Sequence, residues 1–166
     1  GIYPYEVPSV VAKRRFVYRF FQWNADRLSI PFSMPPRHPY NPLPSLRLCI
    51  AAGSQLHHVK AIFNIIYGQG IQPDTTDGIQ AIAKAIGISN PNTVINDHNI
   101  KQKLRENTNL AINEGVFGVP SFVLHKEVFW GGDATEMLLN YLDNPDLFQT
   151  PEMIRISTMP MGKKRS

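Results

Sequence analysis

The stretch Val119–Asp133, VPSFVLHKEVFWGGD, most constrains what this chain can fold into. Pro120 cannot donate to a sheet ladder, so it stands at the first residue or the edge of the β-prone run Ser121–Leu124. A second such run, Glu127–Trp130, follows after only His125-Lys126, which is hairpin spacing. Gly131-Gly132 then supplies flexible backbone and free N–H groups where the next helix opens, a place that suits an anion.

Almost everything else carries helical periodicity. Ser9 is a plausible N-cap, and Val10, Val17, Phe20 and Phe21 mark a helix from about Ser9 to Leu28. The connector IPFSMPPRHPYNPLP holds six prolines in fifteen residues, which leaves room only for a short strand at Phe32–Met34. From Ser45 a helix resumes with a stripe of Leu56, Val59, Ile62, Phe63 and Ile66, and it is expected to end near Tyr67, before Gly68. A second helix takes Thr75 or Thr76 as its cap, Ile79, Ala83 and Ile86 as its face, and Gly87 as its stop. A third places Ile100, Leu104 and Ala111 on one side before Gly115. Ala134–Leu142 is a short final helix, followed by a polar, proline-broken tail. The expected organisation is therefore residues 1–42, helix and proline-rich connector; 43–114, a helical insertion and return helix; 115–142, the hairpin and its helix; and 143–166, the tail. Three short strands are too few for an independent sheet.

Composition narrows the function classes. With 43% hydrophobic residues in 166 the chain can fill an ordinary core. No transmembrane span or secretory leader is visible, so the expected address is cytoplasmic. One cysteine, Cys49, excludes an internal disulfide and a CxxC pair, and its apolar surroundings make it a packing thiol. The net charge of +4 gathers at Lys13, Arg14, Arg15 and Arg19 and at Lys163-Lys164-Arg165. Without a nucleic-acid motif this reads as a solvated helix face or an attractor of small carboxylates, and nucleic acid is not expected as a partner. His57 and His58, adjacent on a helix, point about 100° apart and do not converge on a metal ion.

Three separated segments, FSMPPRHPYNPLPSLR, GVFGVPSFV and FWGGD, occur in the order found in a known family. The chain resembles the 2-hydroxychromene-2-carboxylate isomerase and kappa-class glutathione transferase group, which is related to DsbA. The match runs from about Glu6 to Leu142, and MPPRHPYN favours the isomerase branch. The resemblance implies an α/β thioredoxin-like fold with an all-helical insertion. In that family a strand, a helix and a second strand come first, with a serine that hydrogen-bonds the glutathione sulfur. The sequence reads as beginning after that unit, so the N-terminal part of the sheet is expected to be missing. None of Ser9, Ser29, Ser33 or Ser54 takes the catalytic role.

The resemblance also implies a ligand set. A cis Val119–Pro120 peptide would turn the backbone of Val119 toward the cysteinyl part of glutathione. Gly131, Gly132 and Asp133 would meet the γ-glutamyl end, with amides on its carboxylate and Asp133 on its ammonium. From local sequence alone Asp133 reads equally as a helix N-cap, and Trp130 reads as hairpin core that contributes backbone to the site. The family often has a polar side chain where Gly132 stands and an arginine where Ala134 stands, and losing the former removes about 1 kcal/mol of ligand hydrogen bonding. For an aromatic carboxylate substrate, Pro35-Pro36 would form a wall, Lys13 would attract the carboxylate and Tyr67 would stack. Taken singly, Lys13 is a solvated lysine and Tyr67 a core-edge tyrosine.

The expected function is thus a glutathione-dependent isomerase of the 2-hydroxychromene-2-carboxylate type, acting by reversible thiol addition and possessing activity only with the serine unit. Its alternatives are a kappa-like glutathione transferase and a non-catalytic thioredoxin-fold remnant. Homodimers are common in the resembled family. The tail is expected to pack through Leu147, Phe148, Met153, Ile154 and Ile156, with Lys163–Arg165 solvated.

Overall fold

A computed structural model describes residues 8–160 and 162. These fall into two compact units, divided between Glu106 and Asn107.

The first unit is helical. Helix α1 spans Pro8–Arg27, close to the expected bounds. Of its expected apolar stripe, Phe20 and Phe21 are about half exposed, and among the described α1 side chains Ala25 is the buried one. Phe16, Phe20 and Trp23 instead form an exposed stack with ring centroids 6.1 and 5.9 Å apart, capped by the Arg27 guanidinium over the Trp23 ring.

No strand forms at Phe32–Met34. The Ser33 N–H donates to the Tyr67 carbonyl at 2.6 Å, so this segment bonds to a helical turn where a strand would need a neighbouring strand.

The single helix expected up to Tyr67 is two helices, α2 (Leu43–Ala51) and α3 (Leu56–Phe63). Gly53 and Ser54 separate them at φ +92° and +53°, which a continuing right-handed helix does not allow. A π turn, Asn64–Gly68, ends α3, closed by the Gln69 N–H on the Asn64 carbonyl at 2.9 Å. The extra residue in this turn lets both Ile65 and Ile66 reach the core, while Leu56 and Phe63 of the expected stripe stay exposed.

Helix α4 (Thr76–Ala85) is capped by Thr75, whose hydroxyl accepts from the Gly78 N–H at 3.2 Å. Helices α5 (Pro91–Asn96) and α6 (His98–Asn113) follow, with the Asp97 carboxylate accepting from the Ile100 N–H. Five helices thus stand where three were expected. Leu48, Ile62, Ile65, Ile66, Ile82, Ala83 and Ile86 make the core of this unit.

In the second unit the hairpin has the expected bounds, β1 Ser121–Leu124 and β2 Glu127–Trp130, paired antiparallel with Phe122 opposite Phe129. The turn His125-Lys126 has φ of +50° and +73°, the left-handed pair that matches strand twist in a two-residue hairpin. Phe129 is fully buried and packs on Tyr141 of α7 (Thr135–Asp143) at 5.3 Å and on Phe148 at 5.9 Å. Trp130, expected as hairpin core, is half exposed, because residues alternate across a strand and Phe129 takes the inner face.

The tail begins ordered. Phe148 stacks on Tyr141 at 5.1 Å. Helix α8 (Pro151–Ser157) is capped by Thr150, and Glu152 takes two hydrogen bonds from Arg155, at 2.7 and 2.6 Å. Leu147, Phe148 and Met153 are half-buried as expected, whereas Ile154 and Ile156 are exposed on a helix too short to bury both faces. The expectation for Lys163–Arg165 falls outside the described residues.

Candidate functional site

The loop before β1 and the turn after β2 meet because the ladder continues one rung beyond the strands. The Gly131 N–H donates to the Pro120 carbonyl at 2.9 Å. The Val119–Pro120 bond is cis, the isomer the resemblance implied. Val119 is 85% exposed, and its main-chain N–H and carbonyl have no hydrogen-bond partner among the described residues.

Gly118 keeps this loop close to the sheet, since a side chain there would collide with the Trp130 indole. The indole also meets the Phe117 ring at 5.5 Å. Trp130 is therefore a wall for the loop that carries Val119.

Gly131 lies at φ +83°, ψ 165°, a region open to glycine alone. From it the chain enters a 3-10 turn, Gly132–Ala134, closed by the Thr135 hydroxyl on the Gly132 carbonyl at 2.7 Å. This turn corrects the N-cap reading of Asp133. The cap position of α7 is Ala134, which makes no side-chain cap, and Asp133 sits inside the preceding turn. Its exposed carboxylate has no hydrogen bond or ion pair among the described residues. The unpaired main chain of Val119, in the bend before β1, and the free carboxylate at Asp133 suit a short extended peptide with a cationic end.

The first unit holds a separate cavity of about 430 Å³, lined by Arg14, Tyr18, Pro35, Pro36, Arg37 and His38 among others. The proline pair forms part of its wall. Neither Lys13 nor Tyr67 lines it. Lys13 is exposed on α1 one residue from Arg14, which does face the cavity. Tyr67 stacks with Phe32 and Phe63, at 6.2 and 5.8 Å, and shares a 2.8 Å hydrogen bond with the Tyr40 hydroxyl. Burial, followed by that bond, raises the Tyr40 pKa well above the ordinary phenol value.

A polar clasp holds the cavity's loop. Gln72, buried, accepts from the Arg37 N–H at 2.9 Å and donates to Asp74 at 2.7 Å, while Asp74 accepts from the Asn41 N–H at 3.0 Å. The Asn41 and Gln72 hydrogen bonds hold the Asp74 carboxyl below its ordinary value. Tyr18 and His38, joined at 2.7 Å, were not singled out from the sequence, because nothing local marks a contact between residues twenty apart.

His57 and His58 bring their rings to 3.9 Å, closer than their helical directions suggested, and no metal-binding group of three His, Cys, Asp or Glu occurs among the described residues. Cys49 is a half-buried free thiol against the helical core. No described helix is long and apolar enough to cross a membrane.

Residues 3–143 match the family model of the DSBA-like thioredoxin domain. The chain belongs to the DSBA-like thioredoxin domain family. Within that family it is similar to 2-hydroxychromene-2-carboxylate isomerase of Pseudomonas sp. (strain C18), 32% identical over 85 residues, covering 50% of this chain and 40% of that protein. The isomerase of the same name from Pseudomonas putida is 30% identical over 83 residues, covering 49% of this chain and 41% of the other. The matched part therefore spans about two fifths of these curated relatives. A solved structure of a 2-hydroxychromene-2-carboxylate isomerase superposes with a TM-score of 0.71 at 23% identity, over 87% of this chain and 72% of that one. The DsbA-like thioredoxin fold expected from the three motifs is thus the fold of this chain, rich in helix and with two strands among the described residues.

Proposed function

We propose that the chain provides the glutathione site and the substrate cavity of an isomerase of the 2-hydroxychromene-2-carboxylate type, acting on an aromatic carboxylate. The observation that carries the reading is the rung from Gly131 to Pro120, which ties the loop bearing the unpaired main chain of Val119 to the turn bearing the free carboxylate of Asp133. The names of the two Pseudomonas relatives support the reaction class.

Bound glutathione supplies a thiol nucleophile that adds reversibly to a conjugated substrate, allowing a bond to rotate before elimination. The residues of this chain hold and orient it. Val119 offers an N–H and a carbonyl for strand-like pairing with the cysteinyl residue. Asp133 takes the γ-glutamyl ammonium in a charge-assisted bond, and the turn at Gly132 leaves main-chain N–H groups for the adjoining carboxylate. Gly132 has no side chain to add a further bond, so main chain supplies the recognition there. Holding the thiol in one orientation is where such a site gains rate, since the chemistry resides in the thiol.

The test is the interconversion of 2-hydroxychromene-2-carboxylate followed by absorbance, with and without glutathione. In a protein that carries the serine unit ahead of these residues, turnover that requires glutathione, with a raised KM for it in Asp133→Ala, is expected. Turnover independent of the thiol, or none, overturns the proposal.

A further inference from the structure

Helix α1 has two unlike faces. Arg14, Tyr18 and Ala25 share one side, where Ala25 is buried and the other two line the cavity. The opposite side carries Phe16, Phe20, Trp23 and Arg27, which recur at helical spacing and so form one ridge. The three aromatic side chains of that ridge are 46–68% exposed, and among the described residues no other helix of the first unit packs against α1. A single exposed apolar residue is ordinary, whereas a contiguous row of three aromatic rings marks an interaction surface.

Cations border the ridge on both sides. Relative to Phe16, Lys13 lies about 60° round the helix one way and Arg19 about 60° the other, with Arg15 about 100° round on the Arg19 side. All three are exposed, and none forms an ion pair among the described residues. Asp26 is the sole acid of α1, and the Gln22 amide donates to its carboxylate at 2.8 Å. The matching surface offers apolar depth in front of the rings and negative charge at the level of the cations, which is the profile of a bilayer with acidic headgroups.

The ridge argues against two other occupants. Phe20 stacks with Phe16 at 6.1 Å and with Trp23 at 5.9 Å, and Arg27 lies over the Trp23 ring at 5.5 Å. Ring faces are thus taken up within the ridge, whereas nucleic-acid bases need open ring faces to stack on. A second copy of α1 would set Lys13, Arg15 and Arg19 against their own like charges.

We propose that α1 docks on an anionic membrane surface, with Phe16, Phe20 and Trp23 inserted among the headgroups and Lys13, Arg15 and Arg19 on the lipid anions. Long cationic side chains keep their stems beside the rings while their charged ends reach the headgroup level. The helix lies on the surface and does not cross it, since no described helix is long and apolar enough to span. This docking is independent of the glutathione reading.

The experiment is co-flotation of the 166-residue chain with vesicles of phosphatidylcholine alone and of phosphatidylcholine with about one quarter phosphatidylserine. Binding to the acidic vesicles is expected to exceed binding to the neutral ones about tenfold or more, and to weaken with added salt. In a Trp130→Phe background Trp23 is the remaining tryptophan, and its emission should move to shorter wavelength on binding. Phe16→Gln combined with Trp23→Gln should weaken binding about tenfold or more, and Arg15→Gln combined with Arg19→Gln should remove the preference for acidic lipid. Lys103→Gln combined with Arg105→Gln makes the same change of net charge on α6 and should stay within about twofold of the wild type. All these side chains are exposed, so the fold should persist, which circular dichroism checks.

No binding to either vesicle, equal binding to both, or a Trp23 emission that does not move overturns the proposal. So does an α6 variant that loses as much as the α1 cation variant, since net charge alone would then explain the attraction. Binding of a single-stranded oligonucleotide in place of the vesicles, or self-association that Phe16→Gln with Trp23→Gln abolishes, overturns it in favour of that occupant.

Discussion

Gly131 donates its N–H to the carbonyl of Pro120 across 2.9 Å, one rung past the last paired residues of the hairpin, Ser121 and Trp130. Pro120 has no N–H to return the bond, so the rung is single and the chain on either side is free to turn away. Both ends of the proposed glutathione site depend on that one contact.

The first prediction follows from the backbone of Gly131. At φ +83°, ψ 165° a side chain is strained, so Gly131→Ala should cost about 1–3 kcal/mol. Urea unfolding of both proteins measures it. An unchanged midpoint and slope would show that the turn adapts and that the rung is not needed.

The hairpin core gives a second comparison. Phe129 is buried against Tyr141 and Phe148, while its cross-strand partner Phe122 is half exposed. Phe129→Ala should cost about 3–5 kcal/mol, and Phe122→Ala should fall well below that. Equal losses would mean that the packing of α7 against β2 is not what holds this unit.

Asp74 sets an acid limit on the first unit. Its carboxyl is held below its ordinary value of 3.8 by the Asn41 N–H and then by Gln72. The folded form therefore binds this proton less readily than the unfolded one, and the stabilisation is complete above 3.8 and lost as pH falls through the lowered value. Asp74→Asn should lower stability at neutral pH and flatten this acid segment of the stability profile. A variant whose melting temperature tracks the wild type from pH 6 down to about 2 would contradict the clasp.

Tyr40 works in the alkaline direction. Burial and the Tyr67 bond raise its pKa above the ordinary 10.0, so its contribution is full below 10.0 and declines as the unfolded phenol ionises above it. Tyr40→Phe should cost about 1 kcal/mol at neutral pH and remove part of the alkaline decline. Thermal melts between pH 8 and about 11 decide it.

The hairpin was legible because its signals are local: a proline before the first run, two residues between runs, and glycines after the second. Thr75 was legible for the same reason as one of two candidates beside Thr76, a hydroxyl three residues before the amide it caps. The break between α2 and α3 was marked by Gly53-Ser54, yet the apolar stripe beyond it read as continuous. The π turn at Asn64–Gly68 was hidden because one additional residue in a turn shifts the stripe without changing its composition. At the proposed glutathione site the resemblance pointed to Val119, Pro120 and the Gly131–Asp133 turn, while local sequence made Asp133 an equal candidate for a cap. The 3-10 turn that denies it that role depends on Thr135 closing back on Gly132. The cavity was half legible: the proline wall is a sequence motif, whereas Arg14, Tyr18 and His38 come together only when α1 and the connector are folded. Arg14 lines the cavity and the neighbouring Lys13 does not.

The most direct measurement is the set of backbone amide shifts in a nitrogen–proton spectrum of the chain as glutathione is added. The account predicts saturable shifts concentrated at Val119, Gly131, Gly132 and Asp133, weakened by about 1–3 kcal/mol in Asp133→Ala. Shifts spread over the surface without saturation, or saturating at a site that leaves Val119 and Asp133 unmoved, would contradict it.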